Sequence, residues 1–79
     1  MCNIAGYVGT KQAAPILVEM LRKQEGWDAG YYTGIATICE DKVYMEKCVG
    51  SLQILLEQED VTKFPGNIGI IHSQFHIHS

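Results

Sequence analysis

The sequence has no long hydrophobic run, no cluster of basic residues and no paired cysteines. No segment approaches the roughly 18 apolar residues that span a bilayer, and the N-terminus lacks the basic region of a secretion signal. We therefore expect a cytoplasmic protein with no membrane partner. Six basic side chains stand against nine acidic ones, with no lysines or arginines grouped among aromatic residues, which argues against a nucleic-acid partner.

The cysteines argue against two further classes of protein, disulfide-stabilised domains and zinc ribbons. Cys2, Cys39 and Cys48 are odd in number and widely spaced, so they suit neither a disulfide framework nor the C-x-x-C pairs of a zinc ribbon. We expect reduced thiols, and we interpret Cys39 and Cys48 as small core residues without chemistry.

The chain has 79 residues, enough for a single domain, and its hydrophobic fraction of 47% is ordinary for a folded protein. Residues 3–8 form a short β-prone run. A helix is predicted next, because apolar residues recur at helical spacing and Gly26 follows as a stop signal. Its predicted inward residues are Ala13, Ile16, Leu17, Met20 and Leu21.

The second half of the sequence predicts a hairpin, a short helix and a final strand. Two β-prone runs, TGIATIC and VYMEKCVG, are separated by the polar turn residues Glu40, Asp41 and Lys42. Ser51 is expected to cap a short helix, and the apolar run NIGIIH after a Pro-Gly turn predicts a central strand. The order strand, helix, hairpin, helix, strand is typical of the α+β class.

Cys2 carries the strongest chemical signal. If Met1 is removed, Cys2 becomes the N-terminal residue and holds a thiol and a free α-amino group together. Unperturbed, these groups titrate at about 8.5 and about 7.7–8, so the amine can accept the thiol proton near neutral pH without a histidine. This arrangement predicts a nucleophile that supplies its own general base.

Three stretches in the right order, MCNIAGYVG, VEMLRKQEG with the later TGIAT, and GNIGIIHSQFHIHS, together span nearly the whole chain. They resemble the class II, N-terminal-nucleophile glutamine amidotransferases, and among them the glutaminase domains of glucosamine-6-phosphate synthases. The resemblance implies the first portion of an αββα sandwich, so that residues 1–79 would form a partial amidotransferase domain. We also expect the sequence to be an N-terminal piece of a longer protein.

The resemblance further implies that Cys2 opens the side-chain amide of L-glutamine and delivers ammonia to an acceptor. The partners would be L-glutamine and an acceptor (synthase) domain or a homo-oligomer, and no cofactor is implied. By motif position the last segment would bind the substrate, with His72 and Ser73 leading into it. The substrate-binding positions would be Gln74, Phe75, Ile77 and His78.

The same segment departs from the family pattern. Gln74 stands where the family has the arginine that clamps the α-carboxylate of glutamine, and an amide cannot replace that two-pronged contact. Asn3 replaces a glycine beside the nucleophile. The oxyanion-hole residues of the family would lie beyond residue 79. An alternative hypothesis is therefore a truncated or degenerate relative that acts as a binding or assembly module.

Two other patterns in the sequence have ordinary structural explanations. His72, His76 and His78 have spacings seen in metal sites, but no single helix or strand would present all three, so we expect no metal. Trp27, Tyr31 and Tyr32 could stack on a ligand, yet aromatics in a glycine-rich loop more often cover the edge of a core, which is our prediction here.

Overall fold

A computed structural model describes residues 2–27 and 30–74. The described elements follow the predicted order of strand, helix, hairpin, helix and strand, so the α+β prediction is confirmed. The one unforeseen element is a single 3-10 turn before the last strand. The elements are β1 Cys2–Val8, α1 Ala13–Glu25, β2 Tyr32–Cys39, β3 Lys42–Val49, α2 Leu52–Gln58, the 3-10 turn Val61–Lys63 and β4 Ile68–Gln74.

The four described strands form one antiparallel sheet in the order β1-β4-β2-β3. The last strand in sequence, β4, therefore lies inside the sheet, hydrogen-bonded to β1 on one side and to β2 on the other. This confirms the prediction that the apolar run NIGIIH is a central strand. It also brings the beginning of the chain next to its final motif.

Helix α1 covers one face of the sheet and supplies most of the buried helical side chains. Leu17 and Leu21 are fully buried, as predicted, but Met20 is 36% exposed and the unpredicted Val18 is buried. At about 100° per residue, the stripe that contains Leu17 and Leu21 is centred away from Met20, which lies at its edge. The buried residues of α1 are Ala13, Ala14, Leu17, Val18 and Leu21.

The β2–β3 turn is one residue shorter than predicted. Only Glu40 and Asp41 lie between the strands, since Lys42 already belongs to β3. Both turn residues have left-handed backbone angles, with φ of 51° and 66°. This is the backbone of a two-residue turn whose twist matches that of the flanking strands.

Helix α2 begins directly after Ser51, which occupies the predicted N-cap position, although its side chain makes no capping hydrogen bond. Its residues Leu52 and Leu55 are fully buried and join the core beneath the sheet. Cys48 is buried as predicted, whereas Cys39 is only partly buried at the end of β2. Neither described helix is long and apolar enough to cross a membrane.

The opposite face of the sheet is covered by no helix or strand among the described residues. Its side chains are mostly apolar, and several leave more than half of their surface exposed: Ile4 68%, Ile70 52% and Met45 58%. We call this surface the open face. The open face is wide enough to pack against a second layer. Its other exposed apolar residues are Val8, Ile38, Val43, Val49 and Ile68.

Candidate functional site

The sheet register places the predicted nucleophile beside the predicted substrate-binding segment. Cys2 of β1 lies directly opposite Gln74 of β4, and Gln74 lies directly opposite Tyr32 of β2. Residues paired in this way on antiparallel strands have Cα atoms about 4.5–5.5 Å apart. Two positions at opposite ends of the sequence therefore meet at one end of the sheet, which we call the strand-end site.

Of the substrate-binding residues expected from the resemblance, Gln74 belongs to this site and is partly buried. The positions of Phe75, Ile77 and His78 lie outside the described residues, and so does that of His76. The structure therefore brings together the backbones of Cys2 and Gln74, and the roles of these two residues, like those of the later ones, stay predictions.

His72 lies on the same face of β4 as Gln74, two residues earlier, and pairs with Ile4 and Gly34. The absence of a side chain at Gly34 gives the imidazole its space. A Cβ atom there would lie 3.1 Å from His72 Nε2 and 3.2 Å from the Cγ of Lys47. A glycine in β2 thus lets a histidine and a lysine approach each other from the two neighbouring strands.

A groove of about 420 Å³ lies beside the strand-end site, at the border of β3. Lys47 contributes a positive charge to it, and His72 contributes an imidazole. The side-chain amide of Gln58 at the end of α2 faces the same groove and donates a hydrogen bond of 2.8 Å to the carbonyl of Lys47. A groove whose surface is largely apolar and carries a few polar groups can accommodate a small molecule. Its lining residues are Tyr32, Thr33, Lys47, Cys48, Val49, Gln58 and His72.

The opposite, helix-covered side of the site is a row of hydrogen-bonded polar residues. Asn3 and Ser73, which are paired across β1 and β4, both donate hydrogen bonds to the carboxylate of Glu25. Next in the row, the hydroxyl of Thr33 donates a 2.7 Å hydrogen bond to the carbonyl of Gly50. Ser73 therefore points away from the face that carries Gln74, although the two are adjacent in the motif.

The aromatic residues near the site are more exposed than expected. Trp27, Tyr31 and Tyr32 are 44%, 45% and 43% exposed, so the prediction that they cover a core edge holds only in part. The rings of Tyr31 and Tyr32 meet edge to face at a centroid distance of 5.0 Å. The Arg22 guanidinium lies 5.7 Å from the centre of the Trp27 ring, within cation–π range.

The two other cysteines differ from each other chemically. Burial, with a smaller contribution from the charge of Glu46, raises the pKa of the Cys48 thiol, so less thiolate is present at a given pH. Its sulfur lies 3.7 Å from the carbonyl of Ser51, a weak hydrogen bond. Cys39 is partly exposed. Within residues 2–27 and 30–74, no three His, Cys, Asp or Glu side chains are grouped as metal ligands.

Sequence reasoning missed the part of the site that lies under the sheet. Glu25 has no functional role in the sequence-based expectations, whereas in the structure it is the last residue of α1 and contacts both strand ends. The alternation of strand residues did carry a signal for its partners, because it places Asn3 and Ser73 on the face opposite to Ile4 and His72. Nothing in the sequence indicated that a helical carboxylate would meet them.

The chain is similar along nearly its whole length to one segment of a class of glutamine-dependent aminotransferases. These relatives are named glutamine–fructose-6-phosphate aminotransferase. The protein from Clostridium tetani is 42% identical over 80 aligned positions, and that from Pyrococcus horikoshii is 38% identical. A third, from Clostridium acetobutylicum, is 40% identical. Each alignment covers 99% of this chain, and the resemblance found in the sequence is confirmed.

The relatives are much longer proteins. The chain spans 13% of the length of each of these three curated relatives. No family model matches the sequence. The similarity thus concerns one segment of the relatives, and it does not by itself assign the activity of the whole relatives to this chain.

Proposed function

We propose that this chain is part of a glutaminase domain in which Cys2 attacks the side-chain amide of L-glutamine. The pairing of Cys2 with Gln74 carries the proposal, since it joins the candidate nucleophile to the position that binds the substrate in the resembling family. The names of the relatives, which include glutamine, also support it.

The chemistry begins with removal of Met1. The free α-amino group of Cys2 accepts the thiol proton, and the thiolate adds to the amide carbon of glutamine. Collapse of the tetrahedral intermediate breaks the carbon–nitrogen bond, and the proton returns to nitrogen as ammonia leaves. Water then cleaves the glutamyl thioester, which gives glutamate and restores the thiol. The ammonia passes to an acceptor bound in another domain, and no cofactor is needed for these steps.

The finer fold assignment is part of the same proposal. In an αββα sandwich the open face packs against a second sheet, which supplies further residues of the domain, including the oxyanion donors implied by the resemblance. The exposure of Ile4, Ile70 and Met45 supports such a layer, because apolar surface of this kind is stabilised when it is covered. Residues 1–79 are then a partial amidotransferase domain.

One observation favours a second function. Gln74 occupies the position of the carboxylate-binding arginine, and its amide cannot form the charged, two-pronged contact with a substrate carboxylate. Such a chain could have lost turnover while keeping the sheet and helices as a binding or assembly module. The two functions differ in whether Cys2 recognises glutamine.

The test is selective alkylation by 6-diazo-5-oxo-norleucine, a reactive mimic of glutamine. We expect intact-mass spectrometry to show loss of Met1, and peptide mapping to place the label on Cys2 before Cys39. The buried Cys48, with its raised pKa, should react last. L-Glutamine should slow the reaction at Cys2 alone.

The matched controls are Cys2→Ser, which removes the labelled thiol, and Cys39→Ser, which should leave labelling of Cys2 unchanged. Retention of Met1, or equal labelling of Cys2 and Cys39 without protection by glutamine, would favour the non-catalytic module.

A further inference from the structure

Glu25 contacts both strands of the strand-end site through its carboxylate, and the proposed chemistry does not use it. It is the last residue of α1, and its carboxylate lies under the sheet. A single oxygen, Oε2, accepts a 2.5 Å hydrogen bond from the side-chain amide of Asn3 and another of 2.5 Å from the hydroxyl of Ser73. Helix α1 is therefore joined to β1 and β4 at the same point.

The two donors lie next to the site in sequence. Asn3 follows Cys2, and Ser73 precedes Gln74. Asn3 and Ser73 are also directly paired across the two strands. One carboxylate oxygen thus holds both strand ends, each one residue away from a position of the site.

The second carboxylate oxygen is also enclosed. Glu25 Oε1 is buried and has no hydrogen-bond partner among the described residues. A Cβ atom at Gly30 would lie 3.1 Å from this oxygen, and Gly30 has a left-handed φ of 100°, so a side chain there would be both crowded and strained. The next residue, Tyr31, donates its backbone N–H to the carbonyl of Gln74 at 2.7 Å.

Asn3 makes this arrangement possible. It stands where the resembling family has a glycine, which has no side chain to donate to Glu25. A carboxylate that accepts two side-chain hydrogen bonds interacts more strongly than a neutral acceptor would. A departure from the family pattern beside the nucleophile therefore gives β1 an additional attachment to α1.

We propose that Glu25 is a positioning residue for the glutamine site: it fixes the ends of β1 and β4 so that Cys2 and Gln74 keep their relative placement. This inference rests on the proposed function. Loss of the carboxylate frees two strand ends that carry reacting and binding groups, and a misplacement of about 1 Å can reduce a rate about 100-fold. The intrinsic reactivity of the thiol is not affected, because Glu25 acts through Asn3 and Ser73.

The experiment compares two alkylating agents at Cys2 in Glu25→Ala, Glu25→Gln and Asn3→Gly. In Glu25→Ala we expect alkylation by 6-diazo-5-oxo-norleucine to slow by about 10- to 100-fold, while alkylation by iodoacetamide keeps its rate and pH profile. Glu25→Gln retains an acceptor of the same shape and should recover part of the loss. In a protein that already carries Glu25→Ala, Asn3→Gly should slow alkylation by 6-diazo-5-oxo-norleucine little further, since the two residues share one interaction.

Glu19→Ala is the matched control, because Glu19 lies on the same helix, is exposed and pairs only with Arg22 among the described basic residues. It should behave as the wild type. Equal rates for the wild type and a folded Glu25→Ala protein would overturn the inference. So would parallel slowing with both alkylating agents, which would indicate that Glu25 changes the reactivity of the thiol itself and not the placement of the site.

Amide hydrogen exchange separates this inference from the proposed function. If wild-type Cys2 shows no preference for the glutamine mimic, the proposed function fails, and exchange then decides whether Glu25 holds the strands. We expect faster exchange in Glu25→Ala at the backbone amides near Asn3 and Ser73, but not at Ala36 in the middle of β2. Unchanged exchange near Asn3 and Ser73 would overturn the role of Glu25 whatever the alkylation shows.

Discussion

At the scale of single residues, Gln74 is the most consequential position in the chain. It pairs with the candidate nucleophile on one side and with Tyr32 on the other, and its backbone is tied to Tyr31. Its place in the sheet is therefore well defined, whereas its side chain lacks the charge that a carboxylate ligand would prefer. The proposed glutamine site would therefore combine a well-defined backbone position with weak electrostatic attraction for the substrate carboxylate.

Replacement of the Gln74 amide by a charged group tests whether the missing charge weakens the binding of glutamine. We expect Gln74→Arg to strengthen protection of Cys2 by L-glutamine about 10- to 100-fold, because a hydrogen bond to a charged group contributes about 1.5–3 kcal/mol. The measurement is the glutamine concentration that halves the rate of alkylation of Cys2. Gln74→Lys is the control, since it adds the charge without the planar fork and should give a smaller gain. No gain in Gln74→Arg would mean that position 74 does not face the carboxylate.

At the scale of elements, the β2–β3 hairpin is held by a turn whose residues are poorly suited to their backbone. Glu40 and Asp41 both adopt the left-handed conformation, which costs an ordinary side chain on the order of 1 kcal/mol and glycine almost nothing. The two-residue loop nevertheless sets the register of the whole hairpin, from Cys39 paired with Lys42 onward.

Asp41→Gly should therefore stabilise the protein. We expect the free energy of unfolding to rise by about 0.5–1 kcal/mol, as measured by urea denaturation followed by circular dichroism. Lys42→Gly is the matched control, one residue further along in extended strand, and there glycine should lower stability by about 0.5–1 kcal/mol. If both substitutions destabilise the protein, the turn does not have the conformation described here.

Hydrophobic spacing was enough to predict the order of elements, because each strand and helix has its own period and is bounded by polar or glycine residues. Hydrophobic spacing failed to predict which helix residues are buried, because that depends on how the helix packs on the sheet. Met20 fits a helical repeat, yet the sheet meets α1 along Leu17 and Val18 instead. The adjacency of Cys2 and Gln74 could be suspected only from the family resemblance, since no local pattern reports which strands are neighbours.

At the scale of the whole molecule, the described residues cover the sheet on one side only. Two adjacent residues of β4 mark the difference: Ile71 is fully buried against α1, and Ile70 is 52% exposed on the open face. Apolar surface of this extent favours association with another surface, either a further layer of the same protein or a second copy.

The pair Ile70→Lys and Ile71→Lys tests this asymmetry. We expect Ile70→Lys to keep the stability of the chain within about 0.5 kcal/mol and to reduce its self-association, as measured by analytical ultracentrifugation at several concentrations. Ile71→Lys should unfold the protein, because it buries an unpaired charge. If Ile70→Lys also unfolds the chain, the open face is already packed against something.

The central position of β4 has a consequence for biosynthesis. Among the described strands, β1 has β4 as its only hydrogen-bonding neighbour, and β4 is the last of them to leave the ribosome. The β2–β3 hairpin can form early from local contacts, but the first strand must wait unpaired, with Cys2 at its tip, until residues 68–74 are made. Pairing of β1 therefore comes last in the assembly of the described sheet, after β4 has joined the hairpin.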